Sequence, residues 1–190
     1  PRSAEDPWVD GVPPHIPIRS RALPTVVLLP GDPARVDLAE GVLDDFELVG
    51  NSREFRLAVG RRNGREIAIC STGIGGPSTE IAIVELSRIG VTTFIRVGGM
   101  GAVKPPLHAG TITRVDSVLR EGGAARFYDP SADPVPAHPD VAAAITAAAR
   151  SRGTEIRGIS VLSCDSYYLG EGRRVAGLET LATARMSYVD

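Results

Sequence analysis

The stretch from Ile67 to Gly90 constrains the fold of this chain more than any other. Ile67-Ala68-Ile69-Cys70 is a short apolar run with the length and β-branching of a buried strand. A loop of glycines and hydroxyls, Ser71 to Ser78, follows it, and a helix is predicted from Pro77 to Ile89. Pro77 suits the first helical position, and Glu80 suits the positive end of the helix dipole. Ala82, Ile83, Leu86 and Ile89 form an apolar face, and Gly90 suits the stop. A strand that feeds a glycine loop opening a helix is a common anion holder, because backbone N–H groups can approach the ligand there. The glycine spacing does not fit a dinucleotide fingerprint, and the Gly-Lys-Ser/Thr ending of a P-loop is missing. A tight turn explains one glycine well, but three glycines and three hydroxyls less well. The functional reading depends on arginines from other segments reaching the same place, and Arg35, Arg53 and Arg96 are the candidates.

Upstream, Pro1 to Leu23 is proline-rich and aperiodic, and reads as an arm or leader. His15 within it reads as a solvated residue or as one that reaches a neighbouring subunit. Thr25 to Leu29 is a strand buried on both faces, stopped by the turn Pro30-Gly31-Asp32-Pro33. A helix from about Ala34 to Ala39 places Arg35 in its first turn, where a cation opposes the dipole. Spacing alone leaves two roles open for Arg35, a surface pair with Asp32 or a contact with an anion beyond the strand. Glu47 to Val59 contains Phe55, Leu57 and Val59 alternating with Glu54, Arg56 and Ala58, a half-buried strand. Asn63-Gly64 reads as the hairpin turn into Ile67–Cys70, with Arg53 at the near end of the hairpin. Arg53, between Ser52 and Glu54, reads locally as a solvated loop charge.

Downstream, Thr92 to Val97 is a strand with Arg96 inside an otherwise apolar run, just before Gly98-Gly99. Burying an arginine there is costly unless it is paired or holds an anion, and ligands of open α/β sheets collect at strand carboxyl ends. Thr111 to Leu119 is a further strand, Gly122 to Pro136 an irregular excursion of the lid or surface-loop type, and Pro139 to Arg150 a helix. Gly158 to Cys164 is another strand. It leads into Asp165 to Arg173, a loop with Tyr167, Tyr168, Glu171 and Arg173 that can clasp a planar polar ring or lie on the surface. Met186 to Asp190 starts one more strand.

A chain of 190 residues with 43% apolar and 23% charged content supports one domain with a sizeable core. The net charge of −2 gives no general attraction to nucleic acid or acidic membranes. No apolar run reaches bilayer-spanning length, and the first residues lack the apolar core of a signal peptide. Cys70 and Cys164 read as free thiols of a cytoplasmic protein, and His15, His108 and His138 have no metal-ligand spacing.

Four strings carry a family resemblance. They are Pro30-Gly31-Asp32-Pro33-Ala34-Arg35, Ser52-Arg53-Glu54-Phe55, Cys70 to Ser78, and Phe94-Ile95-Arg96-Val97-Gly98. In this order they resemble the nucleoside phosphorylases, in the uridine phosphorylase branch. The resemblance implies an α/β fold, a three-layer αβα sandwich with a mixed central sheet, formed by residues 25–190 behind an arm of residues 1–24. It implies homodimers, often three in a hexamer, with nucleoside and inorganic phosphate as substrates and no other cofactor. Phosphate would be held by Gly31, Arg35, Arg96, Gly99 and an Arg53 reaching over from a neighbouring subunit. His15 would touch the ribose across the same interface. Tyr167, Glu171 and Arg173 would hold the base, and Asp190 would precede the residues that bind the ribose hydroxyls. Arg96 and Arg173 would carry the catalysis, one fixing the nucleophile and the other assisting departure of the base.

This sequence departs from the family pattern in three places. Gly99 stands where the family has a hydroxyl residue, so only a backbone N–H remains to donate. Glu171 replaces a glutamine that reads the pyrimidine, and an ionised carboxylate cannot donate. The sequence ends at Asp190, before the family's remaining ribose contacts, its last strand and its last helix, and reads as truncated. Two other readings stand beside phosphorolysis: a nucleosidase that uses water, and a non-catalytic relative that binds a ligand or assembles.

Overall fold

The computed structural model describes residues 3, 5–19, 21–103, 105–131, 133–168, 170, 173 and 175–177. Glu171, Asp190 and the strand expected at Met186–Asp190 lie outside them. The chain is mixed α/β and divides into two compact units, residues 1–99 and 100–190.

In the first unit, β1 (Val26–Leu29) lies between β4 (Arg65–Cys70) and β5 (Thr93–Arg96), parallel to both. β2 (Asp44–Ser52) and β3 (Phe55–Arg62) extend the sheet antiparallel, giving the order β2-β3-β4-β1-β5. The half-buried strand expected within Glu47–Val59 is β3, and the residues before Arg53 form a second strand, β2. The chain reverses at Arg53, whose φ of 53° makes the tight turn and leaves Ser52 paired with Phe55. The alternation of Phe55, Leu57 and Val59 was legible, but Arg53 carries none of the usual turn chemistry. The second hairpin turn falls at Asn63-Gly64 as expected, with φ of 51° and 75° and Arg62 paired to Arg65.

Strand alternation gives the sheet two apolar faces. Val27, Leu29, Phe55, Leu57, Val59, Ala68 and Cys70 face one way. They pack under Ala82 and Leu86 of α2 (Gly76–Arg88) and under Ile16 and Ile18 of the arm. Ala58 and Ile69 face the other way, against Val36 of α1 (Ala34–Asp37) and Ala39 of the 3-10 turn that follows. This unit alone is thus helix on sheet on helix. In α2 the apolar side is shifted slightly from expectation. Ile83 is exposed and Glu85 is buried among the apolar residues.

In the second unit, β6 (Thr113–Arg120) pairs in parallel with β8 (Arg157–Ser163) and antiparallel with the short β7 (Val135–Pro136). Residues 122–136, expected to be irregular, contain α3 (Gly123–Tyr128) as well as β7. The segment is tied down by charge. Arg120 donates to Asp133 Oδ1 through its backbone N–H (3.1 Å) and Nε (3.2 Å), and Arg126 Nη2 donates to Asp133 Oδ2 at 2.8 Å. The Arg120 backbone N–H, more than the two guanidinium groups, holds the Asp133 carboxyl below its ordinary range. α4 (Pro139–Ser151) forms the crossover to β8 and packs on β6. No helix among the described residues is long and apolar enough to cross a membrane.

Both cysteines are free; Cys70 is buried and Cys164, just past β8, is half-buried. Burial pushes the Cys70 thiol up to about 12 from 9.0. The folded state therefore keeps this proton after the unfolded chain has lost it. The resulting contribution to stability is present below pH 9 and falls as pH rises towards 12. At pH 9, iodoacetamide is expected to leave Cys70 unmodified in the folded protein and to label it in denaturant, read by peptide mass spectrometry. Equal labelling in both states would contradict a closed core at this position.

Candidate active site

Because β4, β1 and β5 run side by side in parallel, their carboxyl ends share one edge of the sheet. The Pro30–Pro33 turn, the Ser71–Gly75 loop and Val97-Gly98-Gly99 all leave from there. Backbone bonds continue the pairing past the strands. Thr72 N donates to Pro30 O and Gly73 N to Gly31 O, both at 2.9 Å, and Val97 N donates to Leu29 O at 3.1 Å. The three hydroxyls of the glycine loop serve this framework. Ser71 Oγ bonds Glu54 O and the Arg56 N–H, Thr72 Oγ1 lies near Pro30 O and Gly73 O, and Ser78 Oγ sits between Glu54 Oε1 and Thr72 O. They hold the loop against the β2–β3 turn.

Arg96 ends β5, and its side chain is exposed, contrary to the buried position that the apolar run suggests. The strand runs out at this residue. Its guanidinium folds back over the strand ends, where Nη1 donates to Leu29 O (3.1 Å) and Val97 O (2.7 Å). Two glycines leave room for it. A Cβ on Gly31 would lie 3.3 Å from Arg96 Nη2, and one on Gly98 would lie 2.5 Å from Nη1. Partial desolvation and, after it, the charge of Arg35 lower the Arg96 pKa. Arg35 therefore stands close enough to repel it. Asp32 Oδ1 accepts the Ala34 N–H at 2.9 Å, and no ion pair joins Asp32 to Arg35 among the described residues. Among the described residues neither Arg35 nor Arg96 forms an ion pair.

The other expected positions are placed as follows. Gly99 follows β5 on the same edge, with open space where a Cβ would be. Arg53 is exposed at the β2–β3 turn. Among the described residues its side chain makes no hydrogen bond or ion pair. Its neighbour Glu54 has a lowered pKa, chiefly through its own backbone N–H and the Ser78 hydroxyl, with smaller effects of Arg53 and His15. His15 is half-buried, not solvated, and its Nδ1 meets Glu85 Oε1 at 2.6 Å. Glu85 was missed in the sequence. The signal was its spacing, three residues from Ala82 and one from Leu86, which turns a carboxylate towards the apolar side of α2. In the second unit, the Arg173 guanidinium stacks over the Tyr167 ring at 3.9 Å and bonds the Tyr167 carbonyl. Tyr168 packs edge-on against Tyr167, with ring centroids 5.2 Å apart.

Residues 25–188 match the family described as the phosphorylase superfamily. A uridine phosphorylase of Thermococcus kodakarensis is 40% identical over 172 residues, 90% of this chain and 62% of that protein. A uridine phosphorylase of Haemophilus influenzae is 38% identical over 149 residues, 78% of this chain and 59% of its own. A guanosine phosphorylase of Halorubrum lacusprofundi is 34% identical over 155 residues, 82% and 64% of the two chains. This chain thus spans about three-fifths of the length of these relatives.

The site's framework can be probed at Gly73. Its φ is 69°, and an added Cβ would lie 2.7 Å from Glu54 Cγ. Gly73→Ala is expected to lower unfolding free energy by about 1–3 kcal/mol in denaturant titration. Unchanged stability would show that the loop and the turn are not locked together there.

Proposed function

The chain belongs to the phosphorylase superfamily, and on that premise we propose that it takes part in phosphorolysis of a nucleoside to free base and ribose 1-phosphate. The observation that carries the reading is the adjacency of Arg35 and Arg96 without a carboxylate partner among the described residues. Two cations at the end of a parallel sheet, beside Gly31, suit a dianion.

The chemistry follows from that placement. An oxygen of phosphate attacks the anomeric carbon as the bond to the base nitrogen breaks, and the sugar passes through an oxocarbenium-like state. A phosphate held by guanidinium groups supplies both nucleophile and counter-charge, and its fixed position sets the direction of attack. Arg35, Arg96, Gly31 and the Gly99 N–H hold it, with Arg53 supplied by a neighbouring subunit. Inorganic phosphate is the co-substrate and no other cofactor takes part. Tyr167, Glu171 and Arg173 receive the base, Arg173 stabilising the charge that develops on it as it leaves. His15 and Asp190 are assigned to the ribose. The protein acts in the cytoplasm as a homodimer or hexamer, in nucleoside and pyrimidine salvage.

Uridine-like nucleosides come first, since two of the relatives are uridine phosphorylases. The guanosine phosphorylase relative, together with Glu171 in place of glutamine, supports including purine nucleosides in the test.

The test is a panel of nucleosides assayed with and without phosphate, with Arg96→Ala alongside. Base release is expected to require phosphate and to fall at least a hundredfold in Arg96→Ala, with the folded circular dichroism spectrum retained. Release without phosphate would point to a nucleosidase. Turnover unchanged in Arg96→Ala would remove that residue from the mechanism.

A further inference from the structure

The arm is fastened to α2 at two points three residues apart, which lie on the same side of the helix. At one, Arg88 reaches Asp6 Oδ1 at 3.2 Å and stacks over the Trp8 ring at 4.5 Å. At the other, Glu85, only 5% exposed, takes three bonds. Its Oε2 accepts the backbone N–H groups of His15 (3.0 Å) and Ile16 (2.8 Å), and its Oε1 meets His15 Nδ1 at 2.6 Å. The imidazole packs edge-on to Phe55, with centroids 6.2 Å apart, and lines a cleft of about 640 Å³.

We propose that Glu85 is a positioning residue for the arm histidine, fixing His15 as the Nδ1–H tautomer so that Nε2 is presented as a hydrogen-bond acceptor to a hydroxyl of the sugar. The Glu85 oxygens act as acceptors here, Oε2 taking two backbone N–H groups, so the ring nitrogen that meets Oε1 carries the hydrogen. The neutral ring then has one acceptor left, Nε2, and a sugar hydroxyl is a donor that fits it. The tautomer rests on the geometry alone; the choice of a sugar as partner rests on the phosphorylase reading.

The arrangement makes an unusual forecast for Glu85→Gln. The two backbone N–H groups at Oε2 are fixed donors, so the glutamine oxygen must stay with them. The amide NH2 is then turned to Nδ1, which has to accept, and the ring proton moves to Nε2. The isosteric change therefore inverts what His15 offers.

Two measurements test this. Long-range proton–nitrogen NMR on histidine-labelled protein at pH 8, with His15 assigned by its loss in His15→Gln, should show a protonated Nδ1 and a bare Nε2. The same spectrum of Glu85→Gln should show the opposite. Alongside it, the nucleoside KM of Glu85→Gln should rise roughly three- to tenfold, the scale of one neutral hydrogen bond, with the phosphate KM unchanged. A native His15 protonated at Nε2 overturns the proposal, as does a tautomer flip that leaves the nucleoside KM where it was. If the unaltered protein releases no base from any nucleoside while its Nδ1–H signal is present, the phosphorylase reading fails and the assignment of the ring proton to Glu85 survives.

Discussion

Two arginines stand at one edge of a sheet, near enough that the charge of Arg35 adds to desolvation in lowering the pKa of Arg96. Like charges placed near one another repel, more so where water is partly excluded. Arg96 lies over the ends of β1 and β5, and its bonds go to carbonyl oxygens, which orient a guanidinium without cancelling its charge. Arg35 follows the Pro30–Pro33 turn and forms no ion pair among the described residues. Gly98 leaves room for the Arg96 guanidinium, since a Cβ there would lie 2.5 Å from Nη1, and a Cβ on Gly31 would be tight at 3.3 Å from Nη2.

The rest of the first unit supports this edge. Placing β1 between two parallel strands brings three loops to one side. The loop hydroxyls and the strand-end backbone bonds then hold those loops in place from within. The arm adds a second level of order, because a buried carboxylate on the helix opened by the same glycine loop holds its histidine.

Much of this was legible in the residues. The apolar runs at Val26–Leu29 and Ile67–Cys70, the Asn63-Gly64 turn and the proline and glycine bounding α2 are local signals, and the strands, turn and helix stand where those signals put them. The strings around Arg35 and Arg96 pointed to one place because strand ends gather at one edge in any parallel sheet. What was not legible depended on partners distant in sequence. Arg53 turns the chain in a left-handed conformation for which an arginine gives no cue. The order in residues 122–136 comes from Asp133 bridging Arg120 and Arg126, a tie that no periodicity reveals. Glu85 interrupts an apolar face because its partner is the arm, 70 residues earlier. The hydroxyls of the glycine loop looked like ligand donors and proved to be internal bonds.

The account stands or falls on where a phosphate ion settles. A crystal structure of the protein soaked in inorganic phosphate should show the anion beside Gly31, within hydrogen-bond distance of both Arg35 and Arg96. Phosphate absent from that edge at saturating concentration, with the two guanidinium groups turned to separate carboxylates, would contradict it.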